Sequence, residues 1–140
     1  MMMVTSAIAN GGIEMQPYLV DQIFTANLTL LQKTEPAELR RAISTSTAEK
    51  VKSMMVKAVS SGVSSNARIP GVQVAGKTGT AQNGENDPYT LWFTGFAPAK
   101  NPQVAVTVLI EDGGGRGQSG RGNTLAAPIA KKIMQAVLNK

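Results

Sequence analysis

The chain has 140 residues, enough for a single core, with 42% hydrophobic residues and no run of about 18 apolar residues that could span a bilayer. It contains neither Cys nor His, which removes thiol catalysis, a Ser-His-Asp triad and the usual zinc sites from within the chain. The net charge of +5 would suit an anionic partner, but the basic residues are scattered and only one Trp, two Tyr and three Phe are present. No Arg/Lys stripe interleaved with aromatics marks a nucleic-acid surface, so no nucleic-acid partner is expected.

Taken in chain order, residues Met2 to Asn10 are small and apolar at helical spacing, and Gly11-Gly12 follows as a stop. No basic region precedes them, so they are not a signal peptide. They read as the tail of a helix whose start lies upstream, and hence the chain reads as a fragment. "PYLVDQIFTANLTLL" near-alternates and predicts an extended segment or two short strands. Within it Asn27-Leu28-Thr29 fits a glycosylation sequon that arises often by chance, and we give it no weight. "STSTAEKVKSMMVKAVSSG" predicts a helix capped by Ser46 or Thr47 and closed by Gly62. Val51, Met54, Met55, Ala58 and Val59 form its apolar stripe, with both methionines read as core filler.

Three strand-like runs follow, Val72 to Gln82, Thr90 to Pro98 and Gln103 to Glu111, joined by "NGENDP" and "APAKNP". Such short links suit antiparallel neighbours. Gly113 to Gly122 is a glycine-rich loop, and from Thr124 onward an amphipathic helix is predicted with Leu125, Ile129, Ile133, Met134 and Val137 on one stripe. Pro128 fits if it lies in that helix's first turn. The fold class is therefore α+β, an antiparallel β-sheet packed against helices.

Residues Gly71 to Thr78 match G-x-x-x-x-G-K-[ST] letter for letter. A phosphate loop needs a strand before its first glycine and a helix starting at the Lys-Ser/Thr. Here "SGVSSNARIP" precedes it, Val72-Gln73-Val74-Ala75 favours an extended chain, and "GTAQNGENDP" after Thr78 would ruin a helix. We reject that motif. On a strand, Lys77 and Gly79 share one face, placing a cation beside a position with no side chain. Thr78 and Thr80 add hydroxyls, and an open sheet edge adds amide donors. That set suits a carboxylate-bearing, peptide-like ligand, although for Lys-Thr-Gly alone an edge strand with a solubilising lysine is the stronger reading, because such triplets are frequent.

The longer wording decides between them. "VAGKTGTAQ", then "LWFTGFAPAKNPQVAVTVLIEDGG", then "GNTLAAPIAKKIM" resembles the C-terminal part of penicillin-binding protein transpeptidase domains, class B of the actinobacterial type. The opening "MVTSAIANGGIEMQPYLVDQI" looks like the same family's helix and strand upstream of the motif. The resemblance implies a β-lactamase/transpeptidase-like fold and a serine acyl-transfer site built from S-x-x-K, S-x-N and K-T-G elements. It implies that Lys77 organises the proton network and draws in the substrate carboxylate. It implies further that the hydroxyls of Thr78 and Thr80 bind that carboxylate, that Gly79 lies against the ligand, and that the backbone N–H of Thr80 is half of an oxyanion hole. The implied partners are a peptidoglycan stem peptide and β-lactams, with no cofactor and no metal. The implied location is outside the cytoplasm, in a parent protein anchored to the bacterial cell membrane.

No serine in the sequence has a lysine three residues on; Thr47-Ala-Glu-Lys50 comes nearest, with the wrong nucleophile. Ser64-Ser65-Asn66 satisfies S-x-N but stands just before the K-T-G strand, and we read it as loop chemistry. Residues 1–140 are thus expected to be an incomplete transpeptidase domain, its C-terminal portion, inactive alone and prone to self-association or to pairing with the missing segment. Two alternatives stay open: a non-catalytic binding or assembly module of the same fold, and a D,D-carboxypeptidase or β-lactamase relative.

Overall fold

The computed structural model describes residues 1–139. Helix α1 (Met2–Ala9) stops at Asn10, and the chain turns through Gly11 and Gly12 at φ 62° and 94°. Gly12 has a steric reason as well as a conformational one, since a Cβ there would lie 2.2 Å from the Ile43 carbonyl oxygen. Strand β1 (Ile13–Met15) then pairs antiparallel with β4 (Glu38–Arg41), aided by an Arg40–Glu14 ion pair at 2.7 Å.

Between them β2 (Gln22–Phe24) and β3 (Leu30–Lys33) make an antiparallel hairpin, the two-short-strand form of the predicted extended segment. Its strand residues are exposed throughout, Leu31 among them, as is Leu28 in the turn. Asn27 holds the turn, its Oδ1 accepting from the hydroxyls of Thr25 and Thr29.

Helix α2 (Thr45–Ser60) starts two or three residues earlier than predicted. Its cap is Ser44, whose Oγ accepts the Thr47 N–H at 3.1 Å, rather than Ser46 or Thr47. Met55 and Val59 are buried as expected, whereas Met54 is 62% exposed and lies on an open groove instead of in the core.

The three predicted runs become β5 (Ala75–Ala81), β6 (Thr90–Ala97) and β7 (Val104–Ile110), an antiparallel sheet in the order β5-β6-β7. Strand alternation sends Phe93, Val106 and Val108 to one face, against Ala126, Ala127, Ala130 and Met134 of helix α3 (Gly122–Leu138). Phe96 and Ala75 point to the other face, with Met55 of α2 and with Ile8 and Ala9 of α1 packed around them. Helices on both faces of an antiparallel sheet realise the predicted α+β class.

Two expectations for α3 change. Its buried stripe is made of alanines and Met134, while Ile129 and Ile133 remain 45% and 42% exposed. Small side chains let the helix descend onto the strands: at Gly122 a Cβ would stand 2.5 Å from the Trp92 carbonyl oxygen and 2.8 Å from that of Gly79. The helix also begins at Gly122, so Pro128 falls in its interior and not in the first turn. Thr124, whose carbonyl loses its helical donor to the proline ring, lies on the exposed side.

Candidate functional site

Strand β5 holds all four sequence-predicted site residues, and its surroundings differ along its length. Lys77 and Gly79 stand opposite Thr94 and Trp92 of β6, sharing a face with them. Helix α2 packs Val59 and Met55 beside the beginning of the strand, next to Gly76 and Ala75. Past that point the outer edge of β5 is open, because the sheet ends there.

The direction of the edge amides follows from one hydrogen bond. The N–H of Thr78 donates to Ser64 Oγ at 3.1 Å, so it points away from β6. In an antiparallel ladder successive residues face their amides alternately toward and away from the partner strand. The N–H of Thr80, two residues on, therefore points outward as well, and Thr80 is exposed. The Lys77 ammonium folds over the same edge and donates to the carbonyl of Thr78. Gly79 carries no side chain between them, and a Cβ there would press on Trp92 Cβ at 3.3 Å.

Lys77, Gly79 and Thr80 thus meet on one open edge. Thr78 is placed differently. It is 9% exposed, and its hydroxyl accepts from that of Ser64 at 3.4 Å. The P-loop reading fails structurally too: Lys77 lies inside a strand, with no helix starting beside it.

Beyond Lys77 runs an apolar groove of about 470 Å³ between α1 and α2, lined by Val4, Ile8, Val51, Met54 and Ala58 among others. Its floor includes Thr94, which is hydrogen-bonded to Thr5 at 2.6 Å and to Thr107 at 2.7 Å. At the far end of β5 the glycine-rich segment is held against the β5–β6 connection. Gln118 Nε2 donates to the carbonyls of Glu85 and Asp87 at 2.7 and 3.2 Å, and the Gly113 N–H donates to the Tyr89 carbonyl at 2.7 Å.

The Ser64-Ser65-Asn66 triplet lies beside β5 on the side of α3, not across an open cleft from Lys77. Ser64 is fully buried and Ser65–Ala67 forms a short 3₁₀ turn. Asn66 is stapled to Asn123 in α3, its N–H and Nδ2 each donating at 3.0 Å. Reading the triplet as structural agrees with this placement, but sequence reasoning missed that Ser64 reaches the site strand. Nothing local in the sequence marks that contact.

A lysine, a bare glycine and an outward amide thus stand together on the open edge of an α+β sheet. Residues 1–135 match the family model described as "Penicillin binding protein transpeptidase domain". The chain belongs to the penicillin-binding protein transpeptidase family. It is 43% identical over 140 residues to the peptidoglycan D,D-transpeptidase PbpA of Mycolicibacterium smegmatis, covering 98% of this chain and 28% of that protein. To stage V sporulation protein D of Bacillus subtilis it is 34% identical over 136 residues, 93% of this chain and 21% of that one. Its fold superposes with a TM-score of 0.90 on penicillin-binding protein A of M. tuberculosis in a ceftriaxone acyl-enzyme complex, at 42% identity, covering 97% of this chain and 31% of that one. The chain therefore spans between a fifth and a third of the length of these relatives.

Proposed function

We propose that this chain supplies the K-T-G wall of a peptidoglycan D,D-transpeptidase site, as the C-terminal portion of a single transpeptidase domain. The observation that carries the proposal is the open edge of β5, where the Lys77 ammonium, Gly79 and the outward Thr80 N–H lie together. In this reading Lys77 and the Thr80 hydroxyl hold the carboxylate of a stem peptide or β-lactam. The Thr80 N–H donates to the carbonyl oxygen under attack. Thr78 takes part only through its carbonyl, which receives the Lys77 ammonium, since its N–H and hydroxyl are both engaged by Ser64.

The chemistry requires a serine Oγ that this chain does not supply in an S-x-x-K setting. That oxygen adds to the carbonyl carbon, and the negative charge developing on the carbonyl oxygen is stabilised by the Thr80 N–H and a second donor. The C–N bond then breaks and the leaving nitrogen takes up the serine proton, leaving an ester that an acceptor amine opens in a second transfer. The Lys77 ammonium stabilises the carboxylate end throughout and belongs to the proton network around the serine.

The apolar groove between α1 and α2 is the surface against which the remainder of the domain packs, so the isolated chain favours pairing with that segment or with itself. A stem-peptide substrate places the site outside the cytoplasmic membrane, in a membrane-anchored parent.

Fluorescent penicillin tests the reading in two forms of the protein. The 140-residue chain alone gives no covalent label. A chimera in which it replaces the matching region of M. tuberculosis penicillin-binding protein A becomes labelled. A label on the isolated chain would overturn the assignment of the nucleophile to another segment. A folded but unlabelled chimera would favour the non-catalytic module.

A further inference from the structure

We infer that Ser64 is a positioning residue for this site: it anchors the edge of β5 so that Thr80 presents the first open amide. The inference rests on the transpeptidase reading for its catalytic consequence, but not for its geometry.

Ser64 follows α2 by a few residues and is completely buried. A buried hydroxyl must be paired, and this one spends both its capacities on one residue of the site strand. Its oxygen accepts the Thr78 N–H at 3.1 Å and its hydroxyl donates to Thr78 Oγ1 at 3.4 Å. A side chain thus occupies the place on the edge that a further strand, or a strand-like ligand, would otherwise take. Two consequences follow from the ladder. The Thr78 amide is closed to a ligand, and the next outward donor is that of Thr80. The carbonyl of Thr78, which receives the Lys77 ammonium, is fixed by the same contact.

Ser64 is itself held from the far side. Two residues on, Asn66 is stapled to Asn123 at the start of α3 by two hydrogen bonds of 3.0 Å. Gly122 beside it sits directly on the Gly79 and Trp92 carbonyls. The segment after α2 therefore connects two helices to the one edge position that must not move if Thr80 is to meet a developing oxyanion. Displacements well below a hydrogen-bond length at such a donor lower rate without preventing folding.

The test combines amide exchange with acylation kinetics. In the 140-residue chain, Ser64→Ala speeds hydrogen exchange at the Thr78 amide by roughly an order of magnitude and leaves the core amide of Phe93 protected. Ser64→Thr, which keeps the hydroxyl, restores slow exchange. In the chimera, Ser64→Ala lowers the first-order acylation rate at saturating fluorescent penicillin roughly 3- to 10-fold, as expected for one lost hydrogen bond, and Ser64→Thr recovers it. Unchanged Thr78 exchange in Ser64→Ala, or an unchanged saturating rate, would overturn the inference. Should Ser64→Ala fail to fold, Ser64→Thr still decides: normal stability with fast Thr78 exchange would also overturn it. The exchange arm requires no acylation, so it passes or fails independently of whether the chimera is a transpeptidase.

Discussion

Phe93→Ala is expected to remove most of the folding stability of this chain. Phe93 has no exposed surface and lies at the middle of the central strand, facing α3. Its ring occupies the space above Gly76, where a Cβ would stand 2.5 Å from Phe93 Cζ and 3.2 Å from Val59 Cγ2. The glycine preceding Lys77 is thus the socket for the aromatic ring, and the ring is what joins β5, β6, α2 and α3 into one core. Truncating a buried phenylalanine costs about 3–5 kcal/mol, against a total stability of about 5–15 kcal/mol for a typical domain. A chain with an apolar hairpin and an open groove in water stands toward the lower end of that range. Urea unfolding followed by circular dichroism checks it: the midpoint falls steeply for Phe93→Ala and less for Phe93→Leu, which keeps more of the volume. A midpoint unmoved by Phe93→Ala would mean that the core is not organised around this ring.

The second large effect is on chemistry rather than on folding. In the chimera with M. tuberculosis penicillin-binding protein A, Lys77→Ala is expected to lower the acylation rate by about 10²- to 10⁴-fold, the range for losing a group that moves or stabilises charge in the transition state. Its melting temperature stays close to that of the parent, because Lys77 is exposed and its ammonium bonds, among the described residues, only the neighbouring Thr78 carbonyl. Lys77→Arg does not restore the rate, since a planar guanidinium cannot replace a compact ammonium that shares protons. An unchanged rate in Lys77→Ala would remove Lys77 from the site.

How much of this was legible in the sequence depended on whether the cause was local. β5, β6 and β7 were visible because alternation and short turn-rich links are written within each run, and α2 because its stripe recurs at helical spacing. Strand β4, "ELRR", carries no such pattern; it is extended because β1 lies alongside and Glu14 pairs with Arg40, partners that no window of sequence shows. The α3 stripe was rotated for a related reason. Periodicity favoured the large residues Ile129 and Ile133, but closeness to the sheet selected the small ones, Ala126, Ala127 and Ala130.

The site divided in the same way. Lys77 and Gly79 were placed on one face by strand alternation, but the family resemblance singled them out and supplied the roles expected of Thr80; the open edge gives that set its geometry. The burial of the Thr78 hydroxyl was not foreseen, because it depends on Ser64 reaching the strand from the end of another element.

The central claim is that the Thr80 amide faces the reacting carbonyl, and the most direct measurement is a crystal structure of the chimera acylated by penicillin. The account predicts the ester carbonyl oxygen within hydrogen-bonding distance of the Thr80 nitrogen, about 2.7–3.1 Å, with the β-lactam carboxylate beside Lys77 and the Thr80 hydroxyl. An acyl group whose carbonyl oxygen turns away from β5 and makes no contact with Thr80 would contradict it.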